Sequence, residues 1–213
     1  MYRSQATIAL QPKVSAAEYL RGTRELLRAP GVQRVLLLTL LEGALAFGVL
    51  VFVPSMLIKD FSLSSSSAGA AMLLYGLGGL MYSQFAKRWI TWLGEEGLAM
   101  TGGLCIATGL ILLLISTVIY GALAACLVIG LGFYMLHNVL QTQATQMAPH
   151  NRSTAMTLFA SVLFLGQSSG VVILSVCLDA DVLRQSFAAV AIGIAVIGWT
   201  VARHSPGKTN TVS

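Results

Sequence analysis

Charge is what this chain lacks most. Only 10% of its 213 residues are Asp, Glu, Lys or Arg, and from Leu98 to Met147 there is none. Soluble domains carry about 25% charged residues, so an ordinary water-soluble fold is excluded. The uncharged run of about 50 residues would measure roughly 75 Å as one helix, whereas a hydrocarbon core of about 30 Å needs about 20 apolar residues. It must cross, turn and cross back, and Ser116-Thr117, just before Tyr120-Gly121, is its least apolar point. Cysteine is sparse too: Cys105, Cys126 and Cys177 show no CxxC or Cys/His spacing, so they read as small core hydrophobes and no metal site or cofactor is expected. No Walker motif is present, which excludes a self-contained ATP-driven pump. The basic residues are scattered between apolar spans instead of clustered, so nucleic acid is not an expected partner.

What is present is apolar: 56% of residues are hydrophobic. The expectation is an all-α integral membrane protein with six transmembrane helices, at about 35–58, 68–89, 95–116, 118–146, 154–178 and 186–202. Residues 1–33 form a cytosolic amphipathic linker, with Ser15 as helix N-cap and Glu18 completing a capping box; Pro30-Gly31 ends it. The six helices make one bundle over 34–203, and 204–213 form a cytosolic tail. Lys87, Arg88, Glu95 and Glu96 mark the loop between the second and third spans.

Counting Lys and Arg sets the orientation. Arg3, Lys13, Arg21, Arg24, Arg28, Arg34, Lys87, Arg88, Arg152, Arg203 and Lys208 fall on one side, Lys59 and Arg184 on the other. Both termini are therefore expected in the cytoplasm, with Trp89, Trp92 and Trp199 at cytoplasmic span ends. Two triplets of helices enter the membrane with opposite polarity because three is odd, which is the arithmetic of inverted repeats. A faint echo relates residues 70–80 (AAMLLYGLGGL) to residues 160–170 (ASVLFLGQSSG).

Polar groups inside a membrane are costly and tend to face a cavity or a partner helix. Glu42 is the one carboxylate within a span. Removal from water favours its neutral form, so it is the candidate for proton coupling, against the plainer reading of a carboxyl that only positions its helix. Tyr134, His137, Gln141 and Thr145 recur at spacings of three and four, hence on one helix face. With Asn138 and with Gln167 on the fifth span, Tyr134, His137 and Gln141 are the candidates for lining a substrate cavity; the plainer reading is polar contact between helices, worth under about 1 kcal/mol each. One histidine and one distant glutamate do not make a metal site. Gly166-Gln167-Ser168-Ser169-Gly170 is a GxxxG helix-packing motif, with Gly166 and Gly170 at the contact. It also spells G-x-S-x-G, the nucleophile elbow, which leaves an intramembrane serine protease as an alternative from another class; the elbow needs a strand-to-helix turn.

Three stretches carry a family resemblance: residues 41–48 (LEGALAFG), Gly130-Leu131-Gly132-Phe133 through Gln141, and residues 149–155 (PHNRSTA), which is similar to a P-x-x-x-R-G-x-A loop with Ser153 at the usual glycine. The chain resembles the C-terminal six-helix half of a major facilitator superfamily transporter, in the class of drug and sugar efflux permeases, over about residues 20–203. In the loop between the second and third spans Gly94 stands for the motif glycine, but Thr91 occupies the acid position and Glu95 and Glu96 the basic ones. The gating charge pairs therefore do not carry over. The resemblance implies transport of a small solute by alternating access, proton-coupled efflux, and residence in a bacterial inner membrane. It implies no enzymatic activity and partners limited to the lipid bilayer, the solute, and either an N-terminal six-helix half or a second copy. A truncated product is the leading expectation for a lone half, ahead of a paired half or a homodimer. The alternative is a non-transporting six-span protein.

Overall fold

The computed structural model describes residues 16–149 and 151–204; the side chains of residues 16–20, Ser15 with its proposed cap, His150 and residues 205–213 lie outside that description. Among the described residues the secondary structure is helical. Helix α1 (Ala16–Arg28) carries an Arg21–Glu25 pair at 3.1 Å along its exposed face. Helix α2 (Pro30–Glu42) starts with proline in its first turn, where the missing N–H is no loss, and so begins before Val35. It runs without interruption through a π-helical segment (Gly43–Phe47) into α3 (Gly48–Phe61), which tolerates Pro54 and ends at Ser62 with a left-handed φ of 54°.

Helix α4 (Ser65–Ile115) is capped by Ser64, whose hydroxyl accepts from the Ser67 N–H at 3.1 Å. α5 (Ile119–Gln146), α6 (Arg152–Asp179) and α7 (Leu183–Arg203) follow. Among the described residues five helices are long and apolar enough to cross a membrane: Pro30–Phe61, Ser65–Ile115, and α5, α6 and α7. The protein is a multi-pass membrane protein.

The sequence places a charged loop between the second and third spans; the structure has none there. Lys87, Arg88, Glu95 and Glu96 are all helical, and the only departure within the 51 residues of α4 is Gly94, at φ 64° and ψ 179°. That backbone region is essentially restricted to glycine. One residue thus turns what was expected to be a loop into a sharp break.

The packing shows what the break does. The first arm of α4, residues 65–93, runs beside α5 in the same direction: Tyr75 meets Gly130, and Gly79 meets the Tyr134 ring. The second arm, residues 95–115, runs against α5: Gly102 meets Leu136 and Gly109 meets Ala125. The arms are antiparallel, folded back at Gly94 against one shared helix. Small residues allow this approach, because lipid supplies no hydrophobic drive between helices.

A second contact repeats the first. A Cβ on Gly78 would strike the Leu127 carbonyl and the Leu131 N–H; a Cβ on Gly166 would strike the Leu40 carbonyl and crowd the Ala44 N–H. Likewise Gly130 lies on the Tyr75 carbonyl, and Gly43 on that of Leu163. Residues 43 and 130, and 78 and 166, stand nearly the same distance apart in sequence. α6 therefore docks on α2 and the π segment as the first arm of α4 docks on α5. Gly166 and Gly170 both lie in that α6 contact, against Leu40 and Ala44.

At one end of the bundle the helix termini are tied by charge. Arg184 donates to Asp60 at 2.6 Å and to the Leu114 carbonyl, and Lys59 pairs with Asp181 at 3.1 Å. At the other end Arg203 sits over the Trp199 ring at 3.9 Å and Arg88 over Trp92 at 5.5 Å.

Candidate functional site

The inner face of the bundle is built where α2 passes into its π segment opposite the middle of α5. Glu42, the last residue of α2, is fully buried at 0% exposure. Its Oε2 lies 3.1 Å from Nδ1 of His137 on α5. In the chain these two are distant, 95 positions apart, and only the docking of α2 on α5 brings them together. The other carboxyl oxygen, Oε1, is buried without a hydrogen-bond partner among the described residues.

His137 is held as a plate. Its ring stacks on Phe133 at 5.1 Å with an interplanar angle of 18°, and Phe159 of α6 leans on it at 5.6 Å. Phe133 is in turn fixed by an edge contact with Phe47 of the π segment at 4.8 Å. Aromatic pairs in these geometries hold an orientation as well as bury area. The imidazole is thus positioned by three helices before any ligand arrives.

On its other side His137 faces a cavity of about 680 Å³ between the first arm of α4 and α5. Tyr134, His137, Asn138 and Gln141 all line it. Their spacing on one face of α5 is the reason: residues three and four apart meet the same space. The structure adds Tyr82, Ser83 and Glu95 from α4 and Thr142 from α5. Tyr82 and Ser83 are not legible in the sequence, because a single polar pair in an apolar span has no periodicity to mark it. From the sequence Glu95 reads as part of a loop, because it closes a run of charges with Lys87, Arg88 and Glu96.

Two of the candidates are less free than their positions suggest. The Asn138 amide donates to the Tyr134 carbonyl at 2.7 Å, and the Thr142 hydroxyl to the Asn138 carbonyl at 2.8 Å. Thr145 lies off the cavity lining, its hydroxyl turned to the Thr142 carbonyl. Gln167 is not in the lining either; it sits on α6 where its backbone N–H approaches Gly43. The helix that carries it faces α2, not the cavity. Gln143 is buried with its amide nitrogen unpartnered, a polar group that no sequence spacing singled out.

Among the described residues no Lys or Arg lines the cavity. Its polar groups are hydroxyls, amides, one imidazole and the Glu95 carboxylate, against walls of Leu, Ile, Ala and aromatic carbon. Such a site can hold a neutral or cationic organic solute through a few hydrogen bonds and a large apolar contact. Ser168 bears no relation to it: its hydroxyl donates to the Phe164 carbonyl at 2.9 Å in mid-helix, with no strand-to-helix turn around it. No group of three or more His, Cys, Asp or Glu side chains that could hold a metal occurs among the described residues.

No curated protein matches the chain. The family model of the Major Facilitator Superfamily matches residues 4–171, which takes in the Glu42–His137 contact and the whole cavity. By that match, and by an all-helical fold of membrane-crossing length, the chain belongs to the Major Facilitator Superfamily, whose members are membrane transporters.

Proposed function

We propose that this chain acts as the C-terminal six-helix bundle of a proton-coupled exporter that moves small solutes by alternating access. The observation that carries the proposal is the buried Glu42–His137 contact at the back of an open polar cavity. A carboxyl group kept from lipid and water, yet joined through one imidazole to a solute-sized space, is the arrangement a proton-coupled step requires.

Six crossings follow if each arm of α4 spans the bilayer. The antiparallel arms support this, because an uninterrupted helix of 51 residues is more than twice what a bilayer needs. The matched glycine contacts of α6 on α2 and of the first arm of α4 on α5 support two inverted three-helix repeats. Lys59 and Arg184 gather at one end of the bundle, Arg88 and Arg203 at the other, which fits cytoplasmic termini in a bacterial inner membrane. The exposed face of α6, with Phe164, Leu165, Val172 and Ile173, is available to a second six-helix bundle, supplied by an N-terminal half or another copy.

The test is transport by inverted membrane vesicles containing the chain, alone and co-expressed with an N-terminal six-helix half. Ethidium serves as a cationic probe and a labelled disaccharide as a neutral one. Uptake that needs an acid interior, collapses with a protonophore and is lost in Glu42→Gln is the expected result. Uptake of either probe that Glu42→Gln leaves intact, with its pH dependence unchanged, overturns the coupling role of Glu42.

A further inference from the structure

Glu42 has no opening of its own onto the cavity. It is absent from the lining residues and fully buried, while His137 both lines the cavity and touches the carboxyl at 3.1 Å. His137 is 18% exposed on its side chain, against 0% for Glu42. Among the described residues, the imidazole is the one side chain hydrogen-bonded to Glu42. Aromatic carbon packs around the ring: Phe133 stacks on it, Phe47 braces Phe133 from the π segment, and Phe159 leans on the ring from α6.

The remaining titratable neighbours are poor carriers. Tyr75 on α4 packs against Phe133 and Tyr134, but a phenol is not a base near neutral pH. Tyr82 and Glu95 lie on the cavity wall of α4, and α6 presents Phe159. An imidazole, by contrast, can take a proton at one nitrogen while releasing one at the other.

We infer that His137 is the proton relay between the cavity and Glu42, a role distinct from binding solute; the inference rests on the proposed proton-coupling function of Glu42. With Glu42 ionised, Nδ1–H of His137 donates to Oε2. A proton from cavity water adds to Nε2, and the Nδ1 proton passes to Oε2. The carboxyl ends neutral, and the ring ends neutral with its hydrogen on Nε2. Return of the proton to the cavity reverses each step. The stacking on Phe133 keeps Nδ1 aimed at the carboxyl throughout. A solute that lies against His137 in the cavity then blocks Nε2, so solute occupancy and proton exchange at Glu42 exclude one another.

Infrared spectroscopy of the full chain in lipid nanodiscs tests this without a known substrate. The carbonyl stretch of a neutral carboxyl that disappears in Glu42→Gln is assigned to Glu42, and its growth is followed after a rapid drop in pH. In His137→Gln that growth is expected to slow by about 100-fold, the lower range of what a positioned proton-transfer group supplies. In His137→Ala, added imidazole is expected to restore the rate by filling the vacated space. The two variants differ in bulk, so a packing defect in one is checked in the other. A band that grows equally fast in His137→Gln overturns the relay and leaves Glu42 as the proton site. Slowing that imidazole does not relieve gives His137 a structural role and overturns the relay as well. If no band depends on Glu42, the relay and the proposed coupling fall together.

Discussion

Gly103 and Gly198 face one another across the crossing of the second arm of α4 and α7, and each is the other's limit. A Cβ on Gly103 would lie 2.9 Å from the Gly198 Cα, and a Cβ on Gly198 would lie 2.9 Å from the Gly103 Cα. The contact is reciprocal in its neighbours too, with Ile194 on one side and Ala99 on the other. Backbone meets backbone, so no side chain can yield. Gly103→Val is therefore expected to destabilise the bundle by about 1–3 kcal/mol, the usual range for overpacking. Thermal unfolding in detergent measures it; an unchanged midpoint means the crossing is looser than the structure has it.

The break at Gly94 gives a different kind of prediction. A Cβ there would meet nothing within 4 Å, so crowding is not the issue. The cost of Gly94→Ala is conformational, about 1–3 kcal/mol for a side chain forced into φ 64° and ψ 179°. Asparagine relieves strain at left-handed helical positions, but this ψ is extended. Gly94→Asn should therefore be as unstable as Gly94→Ala, and equal melting temperatures of the two variants would bear this out.

If the arms of α4 cross separately, reagents should find their ends on opposite faces. In a background with Cys105, Cys126 and Cys177 replaced, Ser65→Cys and Thr117→Cys should react with an impermeant thiol reagent from one side, and Thr91→Cys from the other. Labelling of all three from one side would leave α4 without two crossings.

Removing one member of a buried, hydrogen-bonded pair leaves the other without its partner. Glu42→Gln and His137→Gln should each lower stability, while the double variant should lose less than the sum. A coupling energy of about 0.5–1.5 kcal/mol is expected for a hydrogen bond between uncharged groups. Additivity in a double-mutant cycle would show that the two side chains do not interact.

The clasp at the far end should contribute unequally. Lys59 and Asp181 are 71% and 88% exposed on their side chains, and Lys59→Ala is expected to change stability by less than about 0.5 kcal/mol. Arg184 also donates to the carbonyl of Leu114, near the end of α4, and reaches Asp60, whose side chain is 26% exposed. Arg184→Ala should therefore cost more than Lys59→Ala; the reverse order in thermal melts would contradict the geometry.

Hydropathy alone determined that this chain lives in a bilayer, because about 20 apolar residues per crossing is a one-dimensional requirement that needs no knowledge of neighbours. Helical periodicity alone put Tyr134, His137 and Gln141 on one face, because residues on one helix share a side whatever packs against it. Gln167 stands outside the cavity lining, since nothing in the sequence of α6 records which helix it will meet. The Glu42–His137 contact is not legible there, because α2 and α5 meet only in the tertiary fold, where they dock on each other and both pack on α6. Tertiary structure likewise decided the fate of residues 87–96. Their charges read as a loop, but helical backbone bonding continues to either side of a single glycine, and contacts with α5 fold the two arms together.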